Sequence, residues 1–286
     1  MEIESFDMAS GRLHAIRHGD GGRPTLLLHG VTRRSDDWLG LMPQLAVFGR
    51  TIAVDQRGHG RSSRVPGQYR VMDYVQDAIQ LMEARFDRPG FLIGHSLGAM
   101  VAAGAAAARP GRVAAVVLED PTFEMTGKRI HETAFASLFQ AFRVWAGTSR
   151  GVEHVARALS ETMIQVPGQG HAVALGTIRD PVSIRYTAAC LKQLDPAVLE
   201  VALAGRWLEG YDVQETLSRL HCPVLMLQGD WGAGGALPDD YACHIASFCP
   251  DLTHVKLAGV GHTIHSTVPD RFLSAVIPFL ACSAGL

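Results

Sequence analysis

The stretch FLIGHSLGAM, residues 91–100, sets one serine between two glycines where an apolar run gives way to small residues. A continuous apolar run without alternation suits a strand covered on both faces. The following AMVAAGAAAA (99–108) suits a helix packed close beneath that strand. Turning from strand to helix within G-x-S-x-G holds Ser96 at strained backbone angles, so the positions two before and two after it must be nearly free of side chain. Gly94 and Gly98 meet that demand. The helix N-terminus then directs partial positive charge at an anion forming beside Ser96. Ser96 is therefore the candidate nucleophile.

Further apolar runs ending in turn residues recur along the chain: 25–30, 51–55, 113–120, 223–230 and 254–262. Helical patterns fall between them at roughly 36–48, 72–86, 97–109, 238–248 and 269–280. This alternation predicts a doubly wound, mostly parallel α/β sheet. It breaks between about Phe123 and Leu220, where helix-length segments follow one another without a convincing strand, punctuated by Pro167-Gly168-Gln169-Gly170 and Asp180-Pro181. The expected organisation is a core of residues 1–122 and 221–286 with a helical cap of residues 123–220 over the carboxyl edge of the sheet, where open α/β sheets bind ligands.

Composition narrows the class. A net charge of −2 in 286 residues argues against a nucleic-acid or anionic-membrane surface. The five cysteines are scattered and show no C-x-x-C pairing, which argues against a disulfide framework or a zinc ribbon. Thirteen histidines do not by themselves imply a metal, because no cluster has ligand spacing along the chain. The N-terminal residues are acidic and polar where a secretory signal needs an apolar stretch, and no run approaches 18 apolar residues. These features predict a cytoplasmic protein acting on a small molecule as a monomer or homodimer, with no cofactor, metal, nucleic acid or membrane partner.

The nucleophile motif and three further blocks together resemble the α/β-hydrolase superfamily over nearly the whole chain. LLLHGVT (26–32) resembles its oxyanion loop, TIAVDQRGHGRSS (51–63) the loop after the fourth core strand, and GVGHTIH (259–265) the loop of the catalytic histidine. The resemblance implies an α/β-hydrolase fold in which His262 is the base for Ser96, while the backbone N–H groups of Val31 and Leu97 form the oxyanion hole. His265, three residues on, has little motif support. Asp55 and Arg57 are expected to tie loops together, and His29, His59 and His95 to orient backbone or line the pocket.

The acid is the difficult member. In most of the superfamily it stands three residues after the glycine that ends the penultimate strand, but here that glycine is Gly229 and the third residue on is Gly232. Asp230 follows Gly229 directly. Other branches place the acid after the preceding strand, where Glu119 is the first polar residue after the apolar run, with Asp120 beside it. Glu119 is the expected acid and Asp230 the alternative, with Asp120 behind them.

The expected chemistry is a serine hydrolase cleaving a carboxylic ester, lactone or amide of a small, largely apolar substrate through an acyl-enzyme. Arg33, Trp145 and Tyr186 are the candidate substrate contacts. Two other readings stand beside it: a carbon–carbon bond hydrolase of aromatic degradation with the same triad, and a ligand receptor on the same fold. A buried arginine in the pocket favours the carbon–carbon reading, because such substrates carry carboxylates. Haloalkane dehalogenases and epoxide hydrolases are disfavoured, since they need an Asp where Ser96 stands.

Overall fold

Alternate residues of the central strands serve opposite layers, which is why their sequences are apolar throughout. Leu26 and Leu28 pack into one core cluster and Leu27 into the other; Leu92 joins the first, Phe91 and Ile93 the second. A computed structural model describes residues 1–166 and 170–285, and the predicted break at Pro167-Gly168-Gln169 lies outside them. Ten strands occur among the described residues: β1 (Glu2–Met8), β2 (Gly11–Gly22), β3 (Thr25–Leu28), β4 (Gly49–Val54), β5 (Gly90–His95), β6 (Val113–Glu119), β7 (Met163–Ile164), β8 (Val173–Ala174), β9 (Val224–Gly229) and β10 (Leu252–Leu257).

Eight of these form one sheet in the order β1-β2-β4-β3-β5-β6-β9-β10, while β7 and β8 pair separately. The pairs from β4 through β10 are parallel, and β1 and β2 join them antiparallel at the edge. No apolar run marks β1 and β2, which carry Glu2, Glu4, Asp7, Arg12 and Arg17. Charge of this kind is what keeps a sheet edge from pairing with another chain. The helix expected over 36–48 is instead a 3₁₀ turn (Ser35–Trp38), one α-turn (Met42–Leu45) and a second 3₁₀ turn (Ala46–Phe48), with Gly40 and Pro43 interrupting it.

The helices Val71–Arg85, Leu97–Ala108 (the small-residue helix), Val213–Ser218 and Asp239–Ala246 pack into the first layer, and Pro269–Ala284 covers the second. Between β6 and β9 run the helices Phe135–Arg143, Val152–Glu161, Pro181–Leu191 and Pro196–Leu203, together with the β7–β8 pair, which sequence reading did not foresee. Buried Tyr69 ties the sheet layer to this segment by donating its hydroxyl to Asp195 Oδ2 at 2.7 Å. No helix among the described residues is long and apolar enough to cross a membrane.

Candidate active site

The turn between β5 and its helix leaves no room for side chains beside Ser96. A Cβ on Gly94 would lie 2.1 Å from the Gly98 carbonyl oxygen, and one on Gly98 would lie 2.0 Å from that of Leu28. Ser96 itself takes φ 56° and ψ −114°, a conformation costly for a residue with a Cβ. Its N–H donates to the Glu119 carbonyl at 2.9 Å, which fixes the turn against β6. Leu97 opens the helix, so its N–H has no partner within the helix.

The structure places Asp120 beside His262, and not the expected Glu119. His262 Nδ1 lies 2.7 Å from Asp120 Oδ2, and Asp120 is fully buried. The N–H groups of Gly229 and Ala236 donate to the same carboxylate at 2.9 and 2.7 Å. Glu119 points elsewhere because it is still within the strand. It follows the side of Val117, into the layer that holds Trp38 and Phe272, and there it meets His265. Asp120 stands one residue beyond the strand at φ 41°, which breaks the alternation and turns its carboxylate over the sheet edge. Asp230, the alternative, does not meet His262; the N–H groups of Gly232 and Gly259 bind its carboxylate, which ties its own turn to the start of the 259–265 loop. Those bonds hold its pKa below the ordinary carboxylate value.

His29 organises the 29–32 loop, the candidate oxyanion loop. Its Nδ1–H donates to the Gly30 carbonyl at 2.8 Å, while its Nε2 accepts the Gln56 N–H at 3.0 Å. Burial pushes its pKa down, which keeps this neutral tautomer. The Gly30 carbonyl and the Val31 N–H share one trans peptide and point opposite ways. Holding the carbonyl on His29 therefore turns the Val31 N–H away from that ring. The expected structural roles of Asp55 and Arg57 match their contacts: Asp55 accepts the Ser35 and Arg61 N–H groups, and Arg57 makes a two-pronged pair with Asp77 at 2.7 Å.

Ser96, His262, Val31 and Arg33 face one pocket of about 370 Å³, counting its open mouth. The inserted segment closes it with Phe135, Leu138, Phe139 and Phe142, and with Arg179, which sequence reading missed. Trp145, an expected contact, does not line it and packs instead edge-on to His154. Tyr186 also stands outside the lining, but its ring lies beneath the guanidinium of Arg33 at 5.2 Å and that of Arg34 at 5.9 Å. Arg33 is 7% exposed. Among the described residues neither it nor Arg179 donates a side-chain hydrogen bond. Burial and the neighbouring Arg33 charge push Arg179 down to about 10. Only its place after the Leu175–Ile178 turn brings Arg179 here, so no motif marked it.

Behind the site, Asp37, His95 and His265 each offer a donor atom within 4.8 Å of the others, a grouping invisible along the chain. Two of its members form an ion pair, with His265 Nε2 3.1 Å from Asp37 Oδ2 and the His265 Nδ1 facing Glu119 at 2.8 Å, while His95 Nδ1 has no hydrogen-bond partner among the described residues.

Residues 24–269 match the alpha/beta hydrolase fold family. The 2-(acetamidomethylene)succinate hydrolase of Mesorhizobium japonicum is 28% identical over 93% of this chain and 90% of its own length. Lipase LipV of Mycobacterium tuberculosis is 36% identical over 44% of this chain and 48% of its own. Among solved structures, an E-2-(acetamidomethylene)succinate hydrolase superposes with a TM-score of 0.77 at 24% identity over 98% of both chains. The enol-lactonase of Burkholderia xenovorans LB400 superposes with a TM-score of 0.73 at 18% identity, over 97% of this chain and 100% of that one.

Proposed function

Given that this chain belongs to the alpha/beta hydrolase fold family and is a hydrolase, we propose that it cleaves an amide or ester of a carboxylate-bearing acid through a Ser96–His262–Asp120 triad. The observation that carries this reading is Arg33, buried at the pocket wall beside Arg179 with its donors unspent. Two guanidiniums side by side repel each other, and taking either out of water is costly without an anion to pair with. A substrate carboxylate relieves both costs and accepts paired N–H bonds from the planar guanidinium. Asp37 lies close enough to feel the Arg33 charge but takes no hydrogen bond from it. Support also comes from the relative matched along most of the chain, which is named for a succinate.

In this reading residues 123–220 are a cap whose Phe135, Phe139 and Phe142 hold the apolar body of the substrate. The Ser96 hydroxyl attacks the carbonyl carbon as His262 takes its proton, and Asp120 holds the imidazole and stabilises its charged form. The N–H groups of Val31 and Leu97 receive the oxyanion. Collapse breaks the bond to the amine or alcohol, which leaves with the proton from His262. Water, deprotonated by His262, then attacks the acyl-Ser96 carbonyl and releases the acid. The arginine pair equally suits the carbon–carbon reading, in which the leaving group is a carbanion equivalent protonated on carbon. Product analysis separates the two.

The test compares a half-amide or half-ester of a dicarboxylic acid with its neutral methyl-ester analogue. The charged compound should be preferred by ~100-fold in kcat/KM, a gap of about 2.7 kcal/mol. Arg179→Gln should erase most of that preference through KM. Equal turnover of the neutral analogue by the natural protein refutes the carboxylate reading.

A further inference from the structure

We propose that His265, clamped between Glu119 and Asp37, is a positioning residue that sets the geometry of the catalytic histidine loop. The inference rests on the hydrolase reading above, although His265 touches no reacting atom in it. Two consecutive carboxylates at the end of β6 grip one loop: Asp120 takes the ring of His262, and Glu119 takes His265, three residues later. Glu119 Oε1 accepts the backbone N–H of His265 at 2.9 Å, and both carboxylate oxygens lie within 2.9 Å of its Nδ1. The strand that supplies the acid thus also fixes the direction in which the loop leaves His262.

The far side of the ring reaches the oxyanion loop. His265 Nε2 pairs with Asp37 in the Ser35–Trp38 turn, which follows Val31, Thr32 and Arg33 within a few residues. Trp38 of the same turn stacks on the imidazole with centroids 4.3 Å apart and planes inclined by 22°, while Phe272 of the last helix meets it edge-on at 6.2 Å. His95, the residue before the nucleophile, lies 5.2 Å from His265 and 4.6 Å from His262, and its Nε2–H donates to the His262 carbonyl at 3.0 Å. One buried side chain on the loop of His262 therefore contacts Glu119 beside Asp120, the Ser35–Trp38 turn that follows Val31–Arg33, and His95 beside Ser96. Burial opposes a charge on His265, yet the Glu119 and Asp37 carboxylates more than offset it and raise the group to about 10. The clamp is an imidazolium between two carboxylates: Nδ1–H donates to Glu119, and Nε2 faces Asp37 as an ion pair at 3.1 Å.

A clamp that only stabilised the fold would change the amount of active protein, not the turnover of each active site. Glu119→Gln, Glu119→Asp and Asp37→Asn are compared with the natural protein, using a fluorophosphonate to count reactive Ser96 sites and p-nitrophenyl butyrate to measure turnover per labelled site. Glu119→Gln and Asp37→Asn should lose ~10- to 100-fold in kcat per labelled site with KM within about twofold, the pattern of a misplaced base. Glu119→Asp keeps the charge, is the variant expected to fold if the neutral ones do not, and should retain more turnover than Glu119→Gln. Unchanged kcat per site in the folded variants overturns the positioning role, even if their melting temperatures fall. A natural protein that labels nowhere at Ser96 overturns the Ser96–His262–Asp120 reading itself, and this proposal with it.

Discussion

At the scale of single residues, the decisive facts are which carboxylate meets which imidazole. Ser96→Ala should abolish hydrolysis while the circular dichroism spectrum stays that of the natural protein. Asp120→Asn should lower kcat by roughly 10⁴-fold, the size seen when the carboxylate orienting a triad histidine is neutralised. Asp230→Asn, altering a carboxylate that accepts the Gly232 and Gly259 N–H groups and does not touch His262, should leave kcat within a fewfold of the natural value. A turnover assay on the two purified variants decides between them: a large loss in Asp230→Asn alone would contradict the proposed role of Asp120 as the acid. Legibility at this scale was uneven. Ser96 and His262 were marked by motif, whereas Glu119 and Asp120 are adjacent and chemically alike, and which one reaches His262 depends on φ at Asp120.

At the scale of elements, the strand-turn-helix unit around Ser96 works only because two backbones nearly touch. Gly98→Ala would push a methyl group against the Leu28 carbonyl, a backbone atom of β3 that cannot swing aside. The cost should exceed the ~1–3 kcal/mol of ordinary overpacking. The variant should melt roughly 5–10 °C lower by differential scanning fluorimetry or fail to accumulate as soluble protein. Here the sequence was informative, since local sterics alone demand glycine at both positions. Less legible was the Ser35–Trp38 turn, whose polar residues looked like the start of a helix. Its Asp37 and Trp38 are instead spent on His265, a residue more than two hundred positions away.

At the scale of the whole molecule, buried charge makes stability depend on pH. His265 is raised from 6.5 to about 10 on folding, so its contribution is fully present below pH ~6.5 and is lost as pH rises through about 10. Melting temperature should therefore decline across that alkaline window, and less steeply in the Asp37→Asn variant, which lacks one of the carboxylates that raise it. A flat profile from pH 7 to 10 would count against a charged His265. The seam between the sheet and the inserted segment offers a second test. Tyr69→Phe removes the buried hydroxyl from Asp195, a bond to a charged group worth about 1.5–3 kcal/mol. Urea midpoints should fall accordingly, with kcat of the remaining folded protein little changed.

What the sequence determined by itself was whatever depends on neighbours along the chain. Unbroken apolar runs dictate buried parallel strands, and G-x-S-x-G dictates a strained serine turn. A Gly-Val-Gly-His loop before the last helix marks His262 as the candidate base. Tertiary structure alone decided how distant groups converge: Asp120 with His262, Glu119 and Asp37 on His265, and Arg33 beside Arg179 at one pocket wall. The physical reason is range. Strand and turn signals come from sterics and burial acting over a few residues, while a carboxylate's partner is chosen by where the sheet edge places it.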